Sequence, residues 1–405
     1  MIKEFVLSNG LNLLVKERKD SNSVAILISI NFGSIFEKTK HSGIAHLIEH
    51  MAFTGTKKRN KKELAEEIDK IGGKINAFTS NEMTCFFVEV QDKHFGKGLD
   101  VLQDCLNNSL FKEKNLKLEK KIVLREISQI KDNVPNYLFD LFQQLCFKDN
   151  KMKSIIGTKK TVKGISRKNI IDYFNEFYTP SNIIVSVVGN INPLKVKKKI
   201  EESFSTKKKK PRDVKEFRKE KITERNKLIK RELSQAHLIY GFQVTPSTKK
   251  EHYIMEVINA HLGGGLSSRL MQEIREKRGL AYAVQSHLEA GNYFGYFAVY
   301  VGARKEKIPL VKELIEKEIK ALREKKLTKE ELNKAKQYIE GKLLLTEENN
   351  FDLALNLINY KRNKVKYTKD FLKRIHSVTS KQVQETAKNF LKEKNYTLIV
   401  MKPKK

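Results

Sequence analysis

Residues 46–50 of the chain read His46-Leu47-Ile48-Glu49-His50, and the interpretation of the fold begins from this stretch. Residues four apart lie one above the other on a helix, so both imidazoles can reach one metal ion. Glu49 lies on the same face, where a carboxylate can take a proton from water. The alternative is an ordinary amphipathic helix that carries two histidines on its surface or in the core. The pattern favours a zinc site with a general base beside it.

The neighbouring residues are typical of a helix with separate packing and chemical faces. At about 100° per residue, four apolar side chains share one face, and the two histidines and Glu49 share the opposite one. The apolar face consists of Ile44, Leu47, Ile48 and Met51. We expect Ser42 to cap the start of this helix and Gly55 to end it.

Length and composition limit the class of protein. A chain of 405 residues is too long for one compact core and predicts two to four domains. No apolar run approaches the roughly 18–20 residues that span a bilayer, so we expect no membrane association. The N-terminus reads directly into a strand and resembles neither a signal peptide nor a transit peptide. The chain has an odd number of cysteines, Cys85, Cys105 and Cys146, and they lack the spacing of metal ligands. This favours thiols in a reducing compartment, the cytoplasm.

The formal net charge of +32 is spread along the whole chain. A basic excess can indicate nucleic-acid binding. No aromatic-rich basic motif or zinc-finger spacing accompanies it here, so we favour a solvated lysine-rich surface and expect no nucleic-acid partner. Nucleic-acid binding stays a weaker alternative, which a steep salt dependence would reveal.

Strands and helices alternate in the first half of the chain, and the second half repeats this plan. Residues 205–230 are dense in charge and nearly free of apolar periodicity, which is typical of an exposed linker. We therefore predict an α+β protein of two homologous halves, each with mixed or antiparallel sheets packed with helices. The predicted parts are a zinc-binding half at 1–205, a charged linker at 206–230 and a second half at 231–405. No His-x-x-Glu-His occurs in the second half.

A catalytic zinc site usually has three protein ligands and an open position. A helix starting near Asn115 offers Glu119 and Glu126 on the same face as Val123 and Ile130. A buried carboxylate without a partner is costly, and metal coordination is one way to offset that cost. The alternative is a buried salt bridge to a lysine from another helix.

These motifs resemble the pitrilysin/insulinase family of zinc peptidases over nearly the whole chain. Residues 42–53 are similar to the family's metal-binding helix. Glu126 stands 76 residues after His50, the position of the family's distal ligand, with Glu119 seven residues before it. The resemblance implies one Zn²⁺ per chain, held by His46, His50 and Glu126, with Glu49 as the base. It also implies that Glu119 supports the site from behind the ligands.

Three further segments carry the resemblance. Asn76-Ala77-Phe78-Thr79 is similar to the family's edge strand, to which an extended peptide adds as a further β-strand, and Glu82 follows just beyond it. The resemblance thus implies that Asn76, Ala77 and Phe78 bind substrate. We expect Glu82 to bind substrate beside them, and the alternative is that it is an ordinary acidic residue of the turn. Gly263-Gly264-Gly265 resembles a glycine-rich loop. Arg275 and Tyr282 resemble an arginine–tyrosine pair that contacts substrate and transition state.

The expected function is that of a zinc metalloendopeptidase. Its substrates would be peptides or small unfolded polypeptides, held as an added β-strand in an enclosed chamber. The resemblance implies a homodimer in which each zinc site faces the second half of the partner chain. The alternative is a catalytically inactive scaffold or assembly subunit. Such family members typically lose a metal ligand or the base, whereas the three ligands and Glu49 are all present here. The basic charge makes neutral or acidic peptides the more plausible substrates.

Overall fold

The structure is a computed structural model that describes residues 2–150, 152–204 and 225–404. We number its strands and α-helices in chain order. The strands are β1 (Ile2–Val6), β2 (Asn12–Glu17), β3 (Ser23–Ile30), β4 (Lys74–Thr79), β5 (Thr84–Gln91), β6 (Ile183–Gly189), β7 (Arg225–Arg231), β8 (Ala236–Gln243), β9 (Ala281–Ala290), β10 (Gly295–Ala303) and β11 (Thr397–Pro403). The helices are α1 (Ile44–Ala52), α2 (Lys61–Asp69), α3 (Phe95–Asn107), α4 (Glu113–Asp132), α5 (Val134–Cys146), α6 (Lys159–Gly164), α7 (Arg167–Phe177), α8 (Pro193–Ser203), α9 (Glu251–Gly263), α10 (Ile308–Glu324), α11 (Lys329–Thr346), α12 (Asn350–Arg362), α13 (Tyr367–Ser377) and α14 (Ser380–Phe390).

The chain forms two compact units, and each is discontinuous in sequence. The first unit takes Met1–Gln129, Lys153–Val214 and Leu345–Arg362, and the second takes Ile130–Met152, Lys215–Leu344 and Asn363–Lys405. The predicted boundaries assumed two continuous halves and therefore missed two exchanged segments, 130–152 and 345–362. Apolar periodicity shows that a segment is helical, but it does not show which sheet the helix covers.

The first unit is built on a six-stranded mixed sheet. Its strand order is β1-β2-β6-β3-β5-β4, in which β2 and β6 are parallel and the other neighbours are antiparallel. Strand β3 is apolar along nearly its whole length and is buried from Val24 to Ile30, as suits a strand covered on both faces. Strand β4 lies at the edge of the sheet.

The second unit repeats the same topology with five strands. Its order is β7-β11-β8-β10-β9, with β7 and β11 parallel and the other neighbours antiparallel. Strands β7 to β11 therefore correspond, in chain order and in sense, to β2 to β6. The predicted α+β fold with two related halves is confirmed.

The predicted linker is partly wrong. Residues Arg225–Arg231 form β7 and pair in parallel with β11, although they carry four basic side chains and little apolar periodicity. An edge strand needs main-chain pairing on one side only, so an exposed basic sequence can occupy it. Residues 206–224 of the predicted linker lie outside the described residues.

One exchanged helix covers each sheet. In the first unit α12 packs on β3 and β6, and its buried residues include Leu353, Leu357 and Ile358. In the second unit α5 packs on β8 and β11 and buries Leu138 and Phe142. These two pairs of strands are equivalent in the repeated topology, so the two helices exchange equivalent places.

Two further features are the state of the cysteines and the polarity of the helices. Cys85, Cys105 and Cys146 are all buried and carry thiols in place of disulfide bonds. Among the residues that the structure describes, no helix combines the length and the apolar character needed to cross a bilayer.

Candidate metal centre and active site

Helix α1 carries the His-x-x-Glu-His motif and is anchored by its apolar face. Ile44, Leu47, Ile48 and Met51 are fully buried, as the sequence pattern predicts. His46, Glu49 and His50 are only partly enclosed and lie on the remaining face. The helix ends at Ala52 with Phe53 as its C-cap, so the expected stop at Gly55 is two residues too late.

The side chain of Glu37, six residues before Gly43, caps the start of α1 in place of Ser42. The first cap position is Gly43, whose φ of +92° is a left-handed conformation that favours glycine. The backbone N–H groups of Gly43 and Ala45 donate to the two carboxylate oxygens of Glu37, each at 2.9 Å. Burial raises the pKa of Glu37 to about 8, although these N–H donors and Lys153 oppose the shift.

Helix α4 supplies the two predicted acids. Glu119 is buried in line with Leu116, Val123 and Ile127. Glu126 lies at the edge of this stripe with its side chain 32% exposed, so the expectation that both acids sit in the middle of the apolar face holds for Glu119 alone. Glu126, the more exposed of the two acids, is the one that faces the Nε2 atoms of His46 and His50.

His46, His50 and Glu126 converge on one point. The two Nε2 atoms are 3.3 Å apart, and Oε2 of Glu126 lies 3.7 Å from His46 Nε2 and 3.5 Å from His50 Nε2. A tetrahedral zinc ion with ligands at about 2.0–2.1 Å separates its ligand atoms by about 3.4 Å. The three residues are also the one group of histidine, cysteine and acidic side chains in the described residues that could hold a metal ion. Donor set and spacing both fit zinc.

Glu119 fixes the orientation of His50. Its Oε2 lies 3.2 Å from His50 Nδ1, which makes Nδ1 the protonated nitrogen and leaves the lone pair of Nε2 directed at the metal position. Its other oxygen accepts a hydrogen bond from Lys61 Nζ of α2 at 3.0 Å. The lysine salt bridge considered as an alternative is therefore present at Glu119, together with the histidine contact.

The two histidines titrate in opposite directions. Burial, and then the charge of His50, lowers the pKa of His46 to about 3, so this imidazole is neutral and free to bind a metal. Burial also lowers the pKa of His50, but the hydrogen bond with Glu119 and the charges of Glu126 and Glu49 raise it more, and the net shift is upward. The surrounding carboxylates thus favour a cation at this position.

Glu49 lies beside the three ligands and is held by a hydroxyl group. Thr79 Oγ1, at the end of β4, donates to Glu49 Oε2 at 2.5 Å. Burial raises the pKa of Glu49, and the hydrogen bond with Thr79 and the charge of His50 partly offset this. A carboxylate with a raised pKa is a stronger proton acceptor than an exposed one.

The expected substrate strand is an edge strand. Asn76, Ala77 and Phe78 lie on β4, whose one neighbour in the sheet is β5. Helix α1 packs beside the same strand. Glu82 does not fit the substrate-binding role expected for it, because it is 5% exposed and forms an ion pair with Arg362. Its position after the edge strand was not enough to show that it points inward.

Arg275 and Tyr282 belong to the second unit. Arg275 lies in a π-helical turn, Met271–Glu276, which packs against β9, and its side chain is 45% exposed. Tyr282 is the second residue of β9 and is 74% exposed, which is unusual for an aromatic residue on a strand. Both side chains are therefore open to contact.

Sequence reasoning missed four residues that shape the site or its surroundings: Glu37, Lys61, Thr79 as a partner of Glu49, and Arg362. Thr79 could have been found, because the end of an edge strand beside the motif helix is a natural place for such a donor. Lys61 and Arg362 have no local signal, since each contacts a segment that the fold brings to it, and Glu37 lies six residues before Gly43, outside the usual cap position.

Comparison with known proteins agrees with this geometry. Residues 13–159 match the family model described as insulinase (peptidase family M16), and residues 164–339 match the one described as peptidase M16 inactive domain. An uncharacterized zinc protease of Bacillus subtilis is 32% identical over 410 residues, covering 100% of this chain and 98% of its own length. The chain belongs to the insulinase family of peptidases. Another relative, an uncharacterized zinc protease of Rickettsia felis, is 35% identical over 344 residues, which is 84% of this chain and 83% of the relative.

Solved structures share the fold of this insulinase-family chain. The crystal structure of a protease from Helicobacter pylori has a TM-score of 0.91 at 23% identity and covers 100% of both chains. A Pseudomonas fluorescens structure titled as a peptidase M16 inactive domain has a TM-score of 0.89 at 18% identity, covering 100% of this chain and 98% of that one.

Proposed function

We propose that this insulinase-family protein is a zinc-dependent endopeptidase that cleaves peptides or small unfolded polypeptides. The observation that carries the proposal is the convergence of His46, His50 and Glu126 on one point, with the Glu49 carboxylate beside them. In the proposal His46, His50 and Glu126 hold one Zn²⁺. A bound zinc ion supplies Lewis-acid chemistry and makes water a usable nucleophile near neutral pH.

Glu49 is the general base of the proposed reaction. Its carboxylate accepts a proton from the attacking water and returns it to the leaving amine. Thr79 orients this carboxylate through one oxygen, and burial raises its pKa in the direction a base requires. Glu119 and Lys61 hold His50 in the tautomer that presents Nε2.

The substrate would bind in extended form along β4. Main-chain pairing with an edge strand tolerates many sequences and suits an enzyme that accepts varied peptides. Asn76, Ala77 and Phe78 of β4 would contact the bound peptide. Arg275 would anchor the substrate and Tyr282 would stabilise the developing oxyanion, roles that rest on the family resemblance.

A closed chamber formed by two copies of the chain is part of the proposal. The family resemblance supports a homodimer with two zinc sites, and the three buried thiols favour the cytoplasm. Sedimentation of the active protein tests the assembly, and activity in a monomer would contradict it.

The reaction is tested by metal analysis combined with cleavage of a peptide library. We expect about one zinc per chain, cleavage that stops on chelation, and recovery when zinc is restored. Zinc-loaded, folded protein that cleaves none of the peptides would contradict the enzyme and favour the inactive scaffold.

A further inference from the structure

A buried ion pair joins two segments of the first unit that lie far apart in sequence. Arg362 Nη2 is 2.7 Å from Glu82 Oε2, and the two side chains are 8% and 6% exposed. Arg362 is the last residue of α12, and Glu82 lies in the turn between β4 and β5. Burying two charges is costly, and a well-packed apolar pair often stabilises a fold equally well. Packing alone therefore does not account for the pair.

The turn that Arg362 grips is narrow and closely bonded. Ser80 N donates to Met83 O at 2.8 Å, and the Ser80 hydroxyl accepts from the N–H groups of Glu82 and Met83 at 3.3 and 3.1 Å. On the far side Asn81 is held by the hydroxyl of Ser34 at 2.9 Å. A displacement of Glu82 would therefore shift the whole turn.

The turn leads directly into the proposed general base. Thr79 immediately precedes Ser80, pairs with Thr84 across the hairpin and donates to Glu49. Arg362 is thus connected to Glu49 through Glu82, the turn and Thr79. Arg362 therefore contacts a hairpin residue, Glu82, that precedes it by 280 residues in the sequence.

We propose that Arg362 is a positioning residue for the general base. Its ion pair with Glu82 holds the β4–β5 turn in the one arrangement that presents the Thr79 hydroxyl to Glu49. This inference rests on the proposed function for its effect on peptide cleavage, but its effect on the hairpin is independent of activity.

The neighbouring residue offers a matched control. Lys361 is also on α12 and also forms an ion pair with a strand of the same sheet, to Glu4 on β1. Strand β1 lies at the edge of the sheet opposite β4. Loss of this more exposed pair removes an ion pair from the same helix without touching the hairpin.

The test compares full-length Arg362→Met, Glu82→Gln, the double variant and Lys361→Met, each checked for zinc content and folded fraction. We expect Arg362→Met to lower kcat about tenfold with KM within about twofold, because a misplaced catalytic group slows the chemical step more than binding. The double variant removes both buried charges and should recover stability without recovering kcat. Lys361→Met should keep the parent kcat.

Alkylation of Cys85 gives a readout that needs no activity. This buried thiol lies opposite Phe78 in the pairing of β4 with β5, and buried Cys105 on α3 serves as an internal reference. We expect Cys85 to react several-fold faster in Arg362→Met than in Lys361→Met, because the hairpin opens locally more often.

Two results would overturn the inference. One is a parent-like kcat in Arg362→Met or in the double variant at full zinc content, which would make the ion pair merely structural. The other is an unchanged rate of Cys85 alkylation. If the parent protein cleaves no peptide at all, the proposed function fails, and the alkylation rates still decide whether Arg362 holds the hairpin.

Discussion

The side chains around the metal position form a graded set of contacts. His46, His50 and Glu126 face one another, Glu119 orients His50 from behind, and Lys61 contacts Glu119 from outside. Lys61 thus restricts the orientation of Glu119, and Glu119 restricts that of His50. This order predicts different consequences for mutations in different layers.

Replacing Glu49 should separate metal binding from catalysis. Glu49→Gln keeps the size and one acceptor oxygen of the side chain but removes the base, so we expect unchanged zinc content and a loss of about 10²–10⁴ in kcat. Zinc analysis and steady-state cleavage rates measure the two effects. A variant that cleaves at the parent rate would show that Glu49 is not the base.

Replacing Glu119 should weaken the metal site without removing a ligand. Glu119→Gln loses the charge that orients His50, and we expect zinc affinity to fall about 10–100-fold. Competition with a chelator measures this affinity. Glu113→Gln, at the exposed start of the same helix, is the control and should bind zinc like the parent. Equal affinities for the two variants would contradict the assigned role.

At the level of elements, α1 depends on a contact from outside the helix. Its own sequence provides no side-chain cap, and the buried carboxylate of Glu37 satisfies the N–H groups of Gly43 and Ala45. This contact holds the helix that carries both histidines and the base.

The raised pKa of Glu37 predicts how stability depends on pH. Below about pH 4.5 both folded and unfolded states are protonated; between there and about pH 8 only the folded state holds the proton. The contribution of Glu37 to stability is therefore full below pH 4.5 and is lost as pH rises toward 8, on the order of 5 kcal/mol in total.

Urea unfolding of the parent and Glu37→Gln at several pH values measures this contribution. The free energy of unfolding of the parent, minus that of the variant, should fall as pH rises from about 4.5 to 8. The exposed Glu113→Gln serves as control and should show no such trend. A difference that stays constant or increases with pH would mean that folded Glu37 is ionised throughout.

The sequence predicts some elements well and others poorly. The apolar stripe of α1 and the helix that carries Glu119 and Glu126 were found because their periodicity is long and regular. The cap from Glu37 was missed because this residue lies six residues before Gly43, outside the usual cap position, and the strand character of β7 was missed because its partner β11 is remote in sequence.

At the level of the whole molecule, the repeated topology and the exchanged helices belong together. Each sheet has the same strand plan, and a helix from an equivalent place in the other half of the sequence covers it. The sequence predicts the repeat, but the exchange is invisible to it because apolar residues show that a helix is buried and not which sheet it covers.

The exchange predicts that the first half is not independently stable. A fragment of residues 1–204 lacks α12 and leaves the sheet surface under Leu353, Leu357 and Ile358 uncovered. Burial of each such side chain contributes roughly 1.5–3 kcal/mol, so the sum is comparable with the whole stability of a domain. We expect the fragment to unfold without cooperativity in urea.

The matched comparison is the same fragment joined by a flexible linker to residues 345–362. This version should unfold cooperatively and bind less of a hydrophobic dye. Equal urea midpoints for the two versions would show that α12 is dispensable for the first sheet.

In the proposed site, two imidazoles of α1 and one carboxylate of α4 share a zinc ion. Anomalous diffraction from crystals of the zinc-loaded protein, recorded on both sides of the zinc absorption edge, tests it most directly. We expect one strong peak per chain, about 2.0–2.2 Å from His46 Nε2, His50 Nε2 and a Glu126 oxygen. A peak bound elsewhere, or none at this position in crystals with bound zinc, would contradict it.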